Sequence, residues 1–152
     1  MEISEFRLPR LPLTELKEVK LFPHQKKLFE KFNEKKSFVL TTPTGSGKTM
    51  ASALPILANN ENAFFIYPTN ALIENQVPSI LKICKLLKKT YHLINENNFR
   101  DKVNLSKDFI VMKIDGDFLE KVEKEMRYKR KGQALNYLLS NNLKPTIILT
   151  NP

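Results

Sequence analysis

Nine consecutive residues, Thr41-Thr42-Pro43-Thr44-Gly45-Ser46-Gly47-Lys48-Thr49, bring together the groups that hold a chain of phosphates. Gly45 and Gly47 let the backbone curl, so that the N–H groups around Thr44 and Ser46 point inward at an anion. A helix starting near Lys48 adds the positive end of its dipole to the same place. Lys48 supplies a mobile charge for the β- and γ-phosphates of a nucleotide, and Thr49 a hydroxyl ligand for Mg²⁺. The general form of such a loop has glycine five residues before Gly47; here Thr42 stands there, and Gly45 provides the freedom inside the loop. The plainer alternative is a glycine-rich turn with a surface lysine. A strand before the loop and a helix after it argue against that alternative.

Two neighbouring segments extend the chemistry. In Phe22-Pro23-His24-Gln25, the Gln25 amide offers a donor beside an acceptor, the pattern that reads N6 and N7 of adenine. Phe22 has two uses open to it, stacking on a purine or packing at a helix start. Downstream, Thr69 and Asn70 stand where a strand gives way to a helix, and offer side chains and a helix N-terminus to a second anion. His24 and His92 have no partners at ligand spacing, and His24 reads as the exposed neighbour of Gln25. Cys84 falls on the apolar side of its helix and reads as packing.

The elements that must position these groups alternate between strand and helix. Residues 1–21 (with Pro9 and Pro12) read as an extended arm, and Pro23 opens a helix running to about Asn33. Apolar runs predict strands at 37–41, 63–67, 109–114 and 145–150, and 3.6-residue periodicity predicts helices at 50–57, 71–89, from Asp117 onward, and at 133–143. Asp117 and Glu120 have the spacing of a capping box. An Asn-rich loop spans 95–108, and the basic run 127–131 reads as a solvated turn, with contact to DNA or a partner as the alternative. Apolar strands alternating with helices predict an α/β fold with a mostly parallel sheet.

The composition bounds the rest. The 152 residues suffice for one domain with a core, and 41% are hydrophobic. A net charge of +9 favours a polyanionic partner such as nucleic acid. No apolar run approaches membrane-spanning length, and no export signal opens the chain, so a cytoplasmic location is expected. The single cysteine excludes an internal disulfide and a cysteine-based zinc cluster.

From Phe22 to Pro152 the sequence resembles the superfamily-2 helicases. Gln25 matches their adenine-reading glutamine, TTPTGSGKT their motif I, and YPTNALIENQ their motif Ia, which grips the nucleic-acid backbone. The closing Leu149-Thr150-Asn151-Pro152 resembles motif Ib, so Thr150 joins Thr69 and Asn70 as an implied strand contact. The wording of PTNAL and LTNP is most similar to the helicase subunit of type I CRISPR interference systems. That resemblance implies ATP and Mg²⁺ as cofactors and single-stranded DNA as partner, RNA not being excluded. It further implies an HD nuclease and subunits of a CRISPR surveillance complex as associates.

It also implies a division into an arm (1–21) and a partial RecA-like P-loop domain (22–152). The Asp-Glu pair of motif II is not among these residues. Nor are the motif II strand or the second RecA-like domain with its arginine fingers, each finger worth about 10³–10⁵ in rate. The expectation is the N-terminal piece of a helicase, itself with at most weak ATP affinity and no meaningful turnover. A non-catalytic helicase remnant acting as an interaction module is the alternative. A small nucleotide kinase would need an arginine-rich lid, and only Arg100, Arg127 and Arg130 follow Thr49.

Overall fold

A computed structural model of the chain describes residues 20–34, 37–101, 104–128, 132–140 and 144–152. The apolar runs become four strands, β1 (Ala63–Ile66), β2 (Tyr91–Ile94), β3 (Phe109–Ile114) and β4 (Thr146–Thr150). They form one sheet in the order β1-β4-β3-β2, and every pairing is parallel. Parallel neighbours need crossover connections. The helices are α1 (Pro23–Lys31), α2 (Lys48–Ala58), α3 (Asn70–Leu86), α4 (Gly116–Glu125) and α5 (Gln133–Ser140), of which α3 joins β1 to β2, and α4 and α5 join β3 to β4. The α/β parallel architecture expected from the sequence is the one observed.

Strand alternation builds two cores. Phe109 and Val111 of β3, with Ile147 and Leu149 of β4, face one side and meet Leu54 and Leu57 of α2 and Ile73 and Ile80 of α3. Ile110, Met112 and Ile114, with Ile148, face the other side and meet Phe118, Val122, Ala134 and Leu138 of α4 and α5. A sheet covered on both faces requires apolar residues at successive positions, which is why β3 (apart from Lys113) and β4 read as hydrophobic runs. Cys84 lies in the first core at 0% exposure, and burial pushes its thiol up to about 11.

Several boundaries differ from expectation. Residues 37–41 form no strand. A strand is defined by its ladder, and among the described residues none runs beside this segment; Val39 is 91% exposed. Conversely, Tyr91–Ile94 forms β2, which its short YHLI run did not announce; its partner is the opening of β3. The cap of α4 is Asp115 rather than Asp117: the Asp115 Oδ1 accepts the Phe118 N–H at 2.9 Å, and Asp117 sits inside the first turn. Helix α3 stops at Leu86 instead of 89, because Lys88 turns into the left-handed region (φ 54°) and ends it. The expected arm, apart from Lys20 and Leu21, lies outside the described residues, as do 129–131 of the basic run and the end of the last expected helix at 141–143.

Candidate functional site

The glycine-rich loop folds as its composition demands. Gly45 and Gly47 adopt φ of 78° and 77°, left-handed values costly for any side chain-bearing residue. The Ser46 hydroxyl donates to Thr42 Oγ1 at 2.7 Å and the Ser46 N–H to the Pro43 carbonyl, drawing the loop together. Thr44 is exposed on it. Thr42, in the place usual for glycine, thus closes the loop through its hydroxyl. Helix α2 begins directly after Gly47, with no side chain capping its first N–H groups. Those donors remain for an anion.

Lys48 Nζ donates to the Thr42 and Pro43 carbonyls at 2.7 and 2.8 Å. An ammonium has three donors, so one remains, and a phosphate oxygen is a stronger, charged acceptor than either carbonyl. The Thr49 hydroxyl donates to Oε1 of Gln76 in α3 at 2.7 Å. A hydroxyl that has given its hydrogen still has lone pairs to offer a cation. Backbone N–H groups, one ammonium and one hydroxyl suit a nucleotide phosphate chain that brings a hard cation with it.

Gln25 is 4% exposed and belongs to the loop as much as to its own helix. Its Oε1 accepts the Phe22 N–H at 2.9 Å, and its Nε2 donates to the Gly47 carbonyl at 3.1 Å. Each amide atom keeps one further hydrogen-bonding position, the number a base edge needs. A Cβ added at Gly47 would lie 2.4 Å from Gln25 Nε2. Glycine there therefore serves twice, for its φ and for the close approach. Phe22 does not pack inward: it is 56% exposed and stacks on the His24 ring, with centroids 5.8 Å apart. His24 is half-buried rather than exposed, and its Nε2 has no partner among the described residues.

A second cluster forms at the C-terminal ends of β1 and β4. Thr69 caps α3, its Oγ1 accepting the Leu72 N–H at 3.3 Å. Asn70 Oδ1 accepts from Asn151 Nδ2 at 2.8 Å, and the Tyr67 N–H donates to the Thr150 carbonyl at 2.8 Å. Thr69, Asn70 and Thr150, more than 80 residues apart at the extremes, are thus brought to one sheet end. Helix α3 runs from this cluster past the loop, and a cleft of about 1010 Å³ lies between loop and helix, lined by Lys48, Thr49, Gln76, Lys82 and Lys85.

Two features escaped the sequence. Gln76 sits within YPTNALIENQ but gave no sign of reaching Thr49, 27 residues earlier. Lys113, leaving β3, pairs with Glu74 of α3 and with Asp115 at 3.2 Å. The hydrogen bond to Glu74 holds its ammonium above the ordinary lysine range despite partial burial. Asp115 is committed to this pair and to its cap, so it is no spare carboxylate for the nucleotide.

A family model of DEAD/DEAH box helicases matches residues 22–138, most of the chain. The chain belongs to the DEAD/DEAH box helicase family. Among curated proteins it is similar to the uncharacterized ATP-dependent helicase MJ1574 of Methanocaldococcus jannaschii, with 30% identity across 95% of this chain and 23% of that protein. It is also similar to the uncharacterized ATP-dependent helicase YprA of Bacillus subtilis, with 34% identity across 41% of this chain and 9% of that protein. The chain therefore spans less than a quarter of the length of the curated relatives it matches. A hypothetical ATP-dependent RNA helicase from Sulfolobus tokodaii superposes with a TM-score of 0.44 at 17% identity, covering 91% of this chain and 48% of that one. Among the described residues, no helix is long and apolar enough to cross a membrane.

Proposed function

We propose that this chain is the ATP-binding part of the first RecA-like domain of an ATP-dependent DNA helicase or translocase. The observation that supports this best is the loop itself: two left-handed glycines, a lysine and a threonine opening directly onto the uncapped start of α2. In this reading the loop N–H groups and Lys48 hold the phosphates, Thr49 holds Mg²⁺, and Gln25 reads adenine. Mg²⁺, when bound, neutralises charge that develops on the phosphates. Thr69, Asn70 and Thr150 contact the backbone of a single strand, with DNA favoured over RNA.

Titrating a fluorescent ATP analogue into the chain tests the loop assignment. Lys48→Ala should abolish the binding; equal affinity in the two proteins would make the loop a mere turn. The chain alone should show no DNA-stimulated ATP hydrolysis, since it lacks an Asp-Glu pair to polarise water. Turnover by the pure 152-residue chain would overturn that.

A narrower reading places the parent enzyme in type I CRISPR interference, unwinding target DNA for an HD nuclease beside the surveillance complex. Its support is the wording of PTNAL and LTNP. Co-purification of the chain with a tagged HD nuclease from the same genome tests it, and repeated failure to recover the pair counts against it. The remnant reading, a non-catalytic module, predicts strand binding that is indifferent to Lys48→Ala and to nucleotide.

A further inference from the structure

We infer that Gln76 is a positioning residue for the metal-ligating hydroxyl, and that through it the nucleotide loop grips the helix bearing the strand contacts. The inference rests on the proposed role of Thr49. Three observations carry it. The Thr49 Oγ1–Gln76 Oε1 distance is 2.7 Å, between residues 27 apart in sequence and on different helices. A carbonyl oxygen only accepts, so the contact fixes the hydroxyl as donor and turns its lone pairs away from Gln76. Both residues line the cleft that also holds Lys48.

Without that acceptor, the Thr49 hydroxyl has a free rotor. Its hydrogen is then able to point at the metal position, where it repels the cation. In the observed arrangement the hydrogen is already directed elsewhere, and α3 supplies the acceptor. Gln76 lies six residues into α3, about 9 Å of helix from Asn70. No comparable side-chain contact between α2 and α3 joins the two sites among the hydrogen bonds of the described residues, so this one is the polar link between them.

The consequence is a metal-specific effect. Gln76→Met removes the acceptor with little change of volume, whereas Gln76→Glu retains an acceptor. The measurement is the affinity of the 152-residue chain for a fluorescent ATP analogue in Mg²⁺ and in EDTA, with the ratio of the two as readout. In wild type, Mg²⁺ should tighten binding. Gln76→Met should lower the ratio roughly three- to tenfold, the size of one hydrogen bond, and leave affinity in EDTA nearly unchanged. Gln76→Glu should keep the ratio high even if its charge weakens nucleotide binding in both conditions. In a Thr49→Val background, Gln76→Met should have no further effect on the ratio.

An unchanged ratio in Gln76→Met, or an equal loss in the Thr49→Val background, overturns the inference. So does an equal loss in Mg²⁺ and EDTA, which would mark a purely structural role; matched circular dichroism spectra and melting temperatures identify a variant that fails to fold, and Gln76→Glu then decides. Failure of the parent reading looks different: wild type itself binds no nucleotide, or binds it unaffected by Lys48→Ala.

Discussion

Asn151 Nδ2 donates to Asn70 Oδ1 at 2.8 Å, joining the chain after β4 to the first residue of α3. The parallel sheet makes this meeting possible, because β1 and β4 are neighbours and both end at the same edge. Thr69, one residue earlier, caps the same helix. The groups assigned to strand contact therefore belong to one hydrogen-bonded unit rather than to separate loops.

That unit makes Thr69 separable by substitution. Thr69→Ala should lower thermal stability by about 1 kcal/mol, the worth of a helix cap. It should also weaken single-strand binding by similar factors across sequences, since backbone contacts carry little base information. Thr69→Ser, which keeps the hydroxyl, should restore both. A filter-binding series on homopolymers checks it; a loss confined to one sequence would contradict the backbone assignment.

Gly47 is constrained from two directions, so Gly47→Ala should be more destabilising than Gly45→Ala. The left-handed φ costs about 1–3 kcal/mol for alanine at either position. Only at Gly47 does the new methyl also collide with Gln25. Removing the obstacle with Gln25→Gly should recover part of the lost stability in the Gly47→Ala background. Chemical denaturation of the single and double variants measures the coupling, and strict additivity would deny the contact.

Asp108 ties the start of β3 to the start of β2. Its carboxylate accepts the Thr90 N–H and hydroxyl at 2.7 and 2.9 Å, and the Thr90 backbone bond chiefly holds its pKa below the ordinary carboxylate value. A folded-state pKa lowered in this way contributes stability above the unfolded pKa of about 3.9, and loses it as pH falls through the lower folded value. Asp108→Asn should cost under about 1 kcal/mol at pH 7, because the group is exposed and screened. Once the pH has fallen below the lowered folded-state value, the two proteins should converge. Urea melts across that range provide the comparison, and a difference that grows toward acid would reverse the sign.

Cys84 should report unfolding. With no exposed surface and a thiol pushed up to about 11, it should resist alkylation at pH 8 while the fold persists. Iodoacetamide labelling followed by mass measurement should track the denaturation curve. Rapid labelling of the folded chain would place Cys84 outside the core.

Local signals carried much of this structure into view beforehand. The loop 41–49, the junction at Thr69–Asn70 and the apolar runs of β3 and β4 are contiguous patterns whose meaning does not depend on distant residues. What stayed hidden is non-local. Val39 has the composition of a strand residue, yet strand formation requires a neighbour, and composition does not say where one lies. Tyr91–Ile94 is too short to show a period, and it is a strand because β3 stands beside it. The cap moved from Asp117 to Asp115 because both satisfy the same rule and only the helix's first turn chooses between them. Gln25 and Gln76 reach Gly47 and Thr49 across 22 and 27 residues, separations at which no sequence spacing rule operates.

The outer edge of β1 has a practical consequence for anyone who purifies this chain. Phe64 and Ile66 are 62% and 65% exposed, and Phe38 and Val39 also lie in solvent. Unpaired strand edges bordered by apolar side chains recruit one another, and the process depends steeply on protein concentration. The +9 charge opposes such association at low ionic strength, where like charges repel. Added salt screens that repulsion at separations beyond about 10 Å at 0.1 M. The buffer that best suppresses stray nucleic acid is therefore the one in which this chain is most prone to precipitate.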